Sequence, residues 1–230
     1  MTVFIPQRRR FIGGLAAAGL ALAGGAAPAA KGKKDEEVAP GEDLMREHGI
    51  LRRVMLAYDE IIRRLGAGEE LPADAVVIGA GIIRRVIEDY HEKLEEEYLF
   101  PRFEKAGKLV ELVRVLRDQH QAGRHLTEHI QGQDITVILN SAGDRKKLVK
   151  YLLLFIRMYR PHKAREDTVL FPAFHSIVSP DEYARLGDEF EDREHALFGE
   201  KGFETIVDKV GGLEEVLGIY ELAEFTPKIL

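Results

Sequence analysis

The most restrictive feature of this sequence is a pattern that occurs twice, 71 residues apart. Each copy is a histidine, a glutamate four residues later, and then the tripeptide Leu-Phe-Pro after three more residues. The copies are His91, Glu95 and residues 99–101, and His162, Glu166 and residues 170–172. Residues four apart lie on one face of an α-helix, about one turn from each other. Each copy therefore predicts a helix that presents an imidazole and a carboxylate to a single point.

The rest of the chain from residue 42 onward also predicts helices. Apolar residues recur at helical spacing, and no long stretch alternates as a half-buried strand does. Four long helices are expected: one with Asp43 as its N-cap that ends near Gly66, one from Pro72 to about Gly107, one from Leu109 to about Gly132, and one from Ser141 toward Phe171. Short connections place consecutive helices side by side in opposite directions. The predicted fold class is all-α, with an antiparallel up-down-up-down four-helix bundle over residues 42–178.

Residues 179–230 predict a C-terminal helical extension. Its apolar face is expected to contain Phe203, Ile206, Val210, Leu213, Val216 and Leu217. Such a face must be covered, either by the bundle or by a second subunit, so a homo-oligomer through this extension is one expectation.

The first 30 residues predict an export signal. Arg8, Arg9 and Arg10 precede an uncharged run over residues 11–30, which ends with an A-x-A site at residues 27–29. A basic start, an apolar middle and small residues at the end are typical of a secretory signal peptide, and paired arginines are typical of the twin-arginine type. We therefore expect a signal peptide over residues 1–29, a polar linker over residues 30–41, and a periplasmic or extracellular protein. An uncleaved membrane anchor is the alternative, and after cleavage no integral membrane protein is expected.

The composition excludes several kinds of functional site and argues against one class of partner. The chain has no cysteine, which excludes disulfides, thiolate metal sites and cysteine nucleophiles. Its formal net charge of -6 argues against nucleic acid as a partner.

Two further histidines complete a candidate metal site. The first and third predicted helices each supply one histidine, His48 and His120, which precede the repeated histidines by 43 and 42 residues. Four imidazoles and two carboxylates suit two metal ions, each held by two histidines, with Glu95 and Glu166 and a solvent-derived oxygen bridging them. This donor set favours iron, with manganese or zinc less favoured. A single H-x3-E pair would instead indicate a surface ion pair, and a lone histidine a packed core residue; the joint pattern favours the metal site.

These residues resemble the hemerythrin-like, or HHE cation-binding, family. The resemblance rests on His48, the two H-x3-E motifs with their Leu-Phe-Pro tripeptides, and the segment Gln119-His120-x2-Gly123-Arg124. It implies a four-helix bundle with a non-heme di-iron centre. Arg124 stands where oxygen-carrying hemerythrins have a second histidine, and the fourth helix offers Glu at a spacing of four rather than Asp at five. The set is closer to members associated with nitric oxide stress, which carry an extra cysteine-containing domain that is not found here.

The predicted function is an exported di-iron protein that binds dioxygen, nitric oxide or peroxide, and carriage, sensing and reduction of that ligand all stay open. A separate electron donor is expected if the centre is redox-active. The alternatives are an iron-storage or iron-donor protein without turnover, and a structural bundle with a vestigial site; whether the protein is an enzyme stays open. Three residues are expected around the ligands: Arg124, bordering the metals or in a salt bridge; Gly123, allowing a close approach; and Tyr159, hydrogen bonding near the centre.

Overall fold

The structure is a computed structural model that describes residues 39–132 and 134–228, and every regular element in these ranges is a helix. The α-helices are α1 Pro40–Ala67, α2 Ala73–Ile82, α3 Glu92–Leu94, α4 Phe100–Ala106, α5 Val110–Gln131, α6 Ile135–Asn140, α7 Ala142–Arg165, α8 Phe171–Phe174, α9 Pro180–Phe198 and α10 Phe203–Val216. Three π-helical segments are π1 Ile83–His91, π2 Glu95–Leu99 and π3 Glu166–Leu170, and a 3-10 turn is Leu222–Phe225. The predicted signal peptide and most of the predicted linker lie outside the described residues. Within the described ranges, no helix is long and apolar enough to cross a membrane.

The two helices that carry the repeated motif are continuous but not purely α-helical. Residues 73–106 form the second long helix and residues 142–174 the fourth, and the π segments lie inside them. The motif residues stand at the boundaries of these segments, because His91 ends π1, Glu95 begins π2 and Glu166 begins π3. Hydrophobic periodicity predicts the helices but does not distinguish a π turn from an α turn. Such segments are frequent at functional sites.

The start of the first helix differs from the prediction. Asp43 is not the N-cap: the helix begins at Pro40, and the amide of Asp43 already donates to the carbonyl of Ala39 over 3.0 Å. Proline suits the first helical position, because its φ is preset and it has no N–H to satisfy. Ser141 caps α7 as expected, with its side chain accepting from the amide of Asp144. The short helix α6, capped by Asp134, was not predicted.

The long helices pack around a shared core. α1 lies against α2, π1 and α7, and α5 lies against the second long helix and α7. The largest fully buried side chains are aromatic: Tyr58, Tyr90, Tyr159, Phe100, Phe103, Phe155, Phe174 and Phe190. The core therefore extends along the helices that bear the motif residues.

The C-terminal extension consists of α9 and α10 and packs on the other helices. α10 contacts α1 and α2, and α9 contacts α1. Of the predicted apolar face, Ile206, Val210, Leu213 and Leu217 are buried, whereas Val216 is 43% exposed. Most of this face therefore packs on α1 and α2 of the same chain.

Candidate metal centre

The structure brings all six predicted ligands together in the interior. Each side chain is buried, with at most 4% of the residue exposed. The six come from four long helices: His48 from the first, His91 and Glu95 from the second, His120 from the third, and His162 and Glu166 from the fourth.

Each glutamate lies between two histidines from different halves of the chain. The Oε2 atom of Glu95 lies 3.3 Å from Nε2 of His120, and its Oε1 atom lies 3.8 Å from Nε2 of His91. The carboxylate of Glu166 lies between Nε2 of His162, at 3.0 Å, and Nε2 of His48, at 3.3 Å. All four Nε2 atoms thus point at carboxylate oxygens in the centre.

The ligand atoms form two overlapping groups in which every pair of atoms lies within 4.8 Å. One group contains Glu95, His120, His162 and Glu166, and the other contains His48, His91 and Glu95. Because Glu95 belongs to both groups, a carboxylate is in place to bridge two positions. Imidazole and carboxylate together suit iron, zinc and other divalent first-row metals.

The polar atoms at the centre fit metal ligation because they lack other partners. Both carboxylate oxygens of Glu95 and of Glu166, and Nε2 of His91 and His120, are buried without a hydrogen-bond partner. Buried carboxylates without compensation are costly, since each has lost its hydration. Cations held by these atoms would remove that cost.

The outer nitrogen of every imidazole is held by an acceptor. Nδ1–H of His48 donates to Asp167 over 2.6 Å. The other three bonds run from His91 to Glu47 at 2.7 Å, from His120 to Glu96 at 3.1 Å, and from His162 to the amide oxygen of Gln119 at 2.8 Å. Because carboxylate and amide oxygens accept, each Nδ1 carries a hydrogen, and in a neutral ring Nε2 then presents its lone pair to the centre. The sequence pattern predicts no role for these four acceptors, although each is next to a predicted ligand in the chain.

The phenylalanine of each Leu-Phe-Pro tripeptide packs on a ligand from the opposite half of the chain. Phe100 stacks on His120, with ring centroids 5.4 Å apart and planes at 26°. Phe171 stacks on His48 at 5.4 Å and 28°. The repeated tripeptide therefore supports the imidazoles as well as the apolar core.

Burial and neighbouring charges shift the pKa values of the ligands in opposite directions. Burial lowers the pKa of His91 and of His120, which favours neutral imidazoles. Burial also raises the pKa of Glu95 well above its ordinary value, and the Glu166 carboxylate adds to the rise. Burial would raise the pKa of Glu166 too, but its contacts with His162 and His48 hold that pKa well below the ordinary value.

Arg124, Gly123 and Tyr159 form one network beside the centre. Arg124 is in ion pairs, with Glu92 at 2.8 Å and Glu96 at 2.7 Å, which matches the salt-bridge alternative. The hydroxyl of Tyr159 donates to Glu92 over 2.7 Å, and its ring lies 5.3 Å from that of His162. A Cβ atom at Gly123 would lie 2.0 Å from this hydroxyl, so the close approach that Gly123 permits is that of Tyr159.

Comparisons with known proteins identify the family of this chain. The chain is 48% identical over 195 residues to the uncharacterized protein Rv1995 of Mycobacterium tuberculosis (strain ATCC 25618 / H37Rv) and to the uncharacterized protein Mb2018 of Mycobacterium bovis. The aligned region covers 85% of this chain and 76% of each relative. No solved structure is significantly similar. The model of the hemerythrin HHE cation binding domain matches residues 39–174, which include all six predicted ligands, and the chain belongs to this family.

Proposed function

We propose that this protein binds two iron ions in an antiparallel four-helix bundle and takes up a small ligand, dioxygen, nitric oxide or peroxide, beside them. His48 and His91 would hold one ion and His120 and His162 the other, with Glu95 and Glu166 as bridges. The observation that carries this proposal is the sharing of Glu95 by the two groups of ligand atoms. A bound iron pair would supply reversible redox chemistry.

The residues around the centre would orient the ligands and exclude water. Four outer acceptors hold the imidazole rings with Nε2 inward. Phe100 and Phe171 cover two of the rings. Because all six ligand side chains are buried, the centre admits small uncharged molecules more readily than solvated ions.

The burial of the ligands favours binding of a small ligand over iron storage or donation. A protein that donates iron must release it, and release requires solvent or a chelator to reach the ligands. Here none of the six ligand residues is more than 4% exposed. Slow exchange of the metal is therefore expected, in contrast to a reservoir.

The visible spectrum of the reduced, iron-loaded protein tests this proposal. The protein is exposed in turn to dioxygen, nitric oxide and peroxide, and each sample is then evacuated. The proposal expects a new absorption band with at least one of the three, and recovery on evacuation separates carriage from consumption. If the spectrum of the iron-loaded protein stayed unchanged with all three molecules, small-ligand binding would be refuted and iron storage would be the remaining function.

The location that we propose is the periplasm or the exterior, after export by a twin-arginine route. The support is Arg8–Arg10 followed by the uncharged run and the A-x-A site. Fractionation of cells that express the wild-type chain and the R8K/R9K variant tests it. Export of the wild type and retention of the variant are expected, and equal distribution would contradict the proposal.

A further inference from the structure

An open groove of about 600 Å³ lies on the surface between α5 and α7, outside the metal centre. Pockets that hold small ligands commonly measure roughly 300–1,000 Å³. Leu126, Leu154 and Met158 contribute apolar surface to the groove. Leu154 is 43% exposed, although it is a large apolar residue. The groove therefore offers an uncovered apolar surface of ligand size.

One end of the groove is aromatic. His129 and Tyr151 both line it, and their ring centroids lie 5.0 Å apart with planes tilted by 50°. Aromatic and apolar walls together favour a flat, unsaturated ligand, because rings stack on one another and exclude water from both faces.

Arg157 makes the groove favour a ligand with a negatively charged group. It lines the groove, is exposed, and forms no hydrogen bond or ion pair with any residue that the structure describes. No aspartate or glutamate lines the groove. In a chain with a net charge of -6, this local excess of positive charge favours an anionic group, which a guanidinium binds with two parallel hydrogen bonds.

Gln119 connects the groove to the metal centre. This residue lines the groove, and its Oε1 atom accepts the hydrogen bond from Nδ1 of His162 at 2.8 Å. A ligand in the groove would therefore lie one side chain away from a proposed metal ligand.

We propose that this groove binds a planar aromatic molecule that carries an anionic group, with the ring over the apolar floor and the anion at Arg157. Binding itself does not require the metal.

Flavin mononucleotide and riboflavin are matched probes, because they share one ring system and differ in the phosphate. Their fluorescence is titrated with the full chain, both metal-loaded and metal-free. We expect flavin mononucleotide to bind about tenfold more tightly than riboflavin in both forms. Binding by the metal-free chain separates this proposal from the proposed function, which could fail on its own.

Variants then locate the site. R157E should weaken flavin mononucleotide about tenfold and leave riboflavin unchanged, whereas R52E, which alters an exposed arginine of α1 outside the groove, should change neither. A122F, at an exposed lining position, should weaken both probes. No binding of flavin mononucleotide, equal binding of the two probes, or equal losses in R157E and R52E would overturn the proposal.

Discussion

The Oδ1 atom of Asp167 lies 2.6 Å from Nδ1 of His48, although the two residues are 119 positions apart in the chain. Asp167 directly follows Glu166, which contacts the same ring from the inner side, at Nε2. Glu96 follows Glu95 and holds His120 in the same way, from the other half of the chain. Each acidic pair therefore clamps both nitrogens of one imidazole, and it does so across the two similar halves.

Replacement of Asp167 should weaken the site without removing a ligand. In D167A the ring of His48 loses the hydrogen bond that fixes its tautomer, and outer partners of this kind are worth about 10–100-fold in metal affinity. Chelator competition should remove one metal at a chelator concentration lower by that factor. D208N changes an exposed carboxylate on α10 and serves as the control. Equal metal retention by D167A and wild type would contradict the proposed clamp.

Gly123 should tolerate no side chain while Tyr159 is present. In G123A the new Cβ atom would lie 2.0 Å from the Tyr159 hydroxyl and 2.8 Å from Cζ. Overpacking of this kind costs about 1–3 kcal/mol of unfolding free energy, which thermal or urea denaturation measures. Removal of the hydroxyl in G123A/Y159F should recover part of the loss.

A glycine with free space around it provides the control for Gly123. A Cβ atom at Gly212, within α10, would meet nothing within 4 Å. G212A should therefore stabilise the protein by about 0.5–1 kcal/mol, because alanine loses less backbone entropy in a helix. If both substitutions changed stability alike, the contact between Gly123 and Tyr159 would not be the cause.

Neutralisation of Glu95 should raise the stability of the metal-free protein and abolish the additional stability that iron provides. Burial holds the pKa of Glu95 well above its ordinary value. A raised carboxyl pKa means that stability is present at low pH and is lost as pH rises through the folded-state pKa. Metal-free E95Q should therefore be more stable than metal-free wild type at neutral pH, and the two should converge below the ordinary glutamate pKa. Denaturant unfolding at several pH values measures this.

With iron present, the same variant should lose stability relative to the wild type, which is the opposite of its effect in the metal-free protein. Iron should raise the melting temperature of the wild type, because a ligand that binds the folded state stabilises it. E95Q should show little or no rise. A wild-type-like rise in E95Q would show that Glu95 is not a ligand.

Arg124 should act on the site through Glu96. In R124A the Glu96 carboxylate, which holds Nδ1 of His120, loses one of its two cationic partners and keeps only Lys93, at 2.7 Å. We expect a moderate loss of metal affinity, below the 10–100-fold of a direct outer partner. R124K should restore part of it by replacing the charge. Chelator competition measures the metal affinity. Equal affinities of R124A and wild type would contradict the effect of Arg124 through Glu96.

The sequence predicts the six central residues because their chemistry and spacing repeat. His91 with Glu95 and His162 with Glu166 need only local helix geometry to converge, whereas the hydrogen bond from His48 to Asp167 depends on how distant helices pack. The pairing of Gly123 with Tyr159 is likewise a tertiary contact without a local signal. The π segments at Glu95 and Glu166 were not predicted either, since each interrupts the 3.6-residue periodicity too briefly to be recognised from the spacing of apolar residues.

The most direct test of the two-ion centre is the metal content of purified chain by elemental mass spectrometry, in wild type and in E95A and H162A. Wild type grown with iron should hold about two iron ions per chain. Both variants should hold clearly less, since each lacks an atom of the group formed by Glu95, His120, His162 and Glu166. Fewer than about one iron per wild-type chain, or full iron content in both variants, would contradict the account.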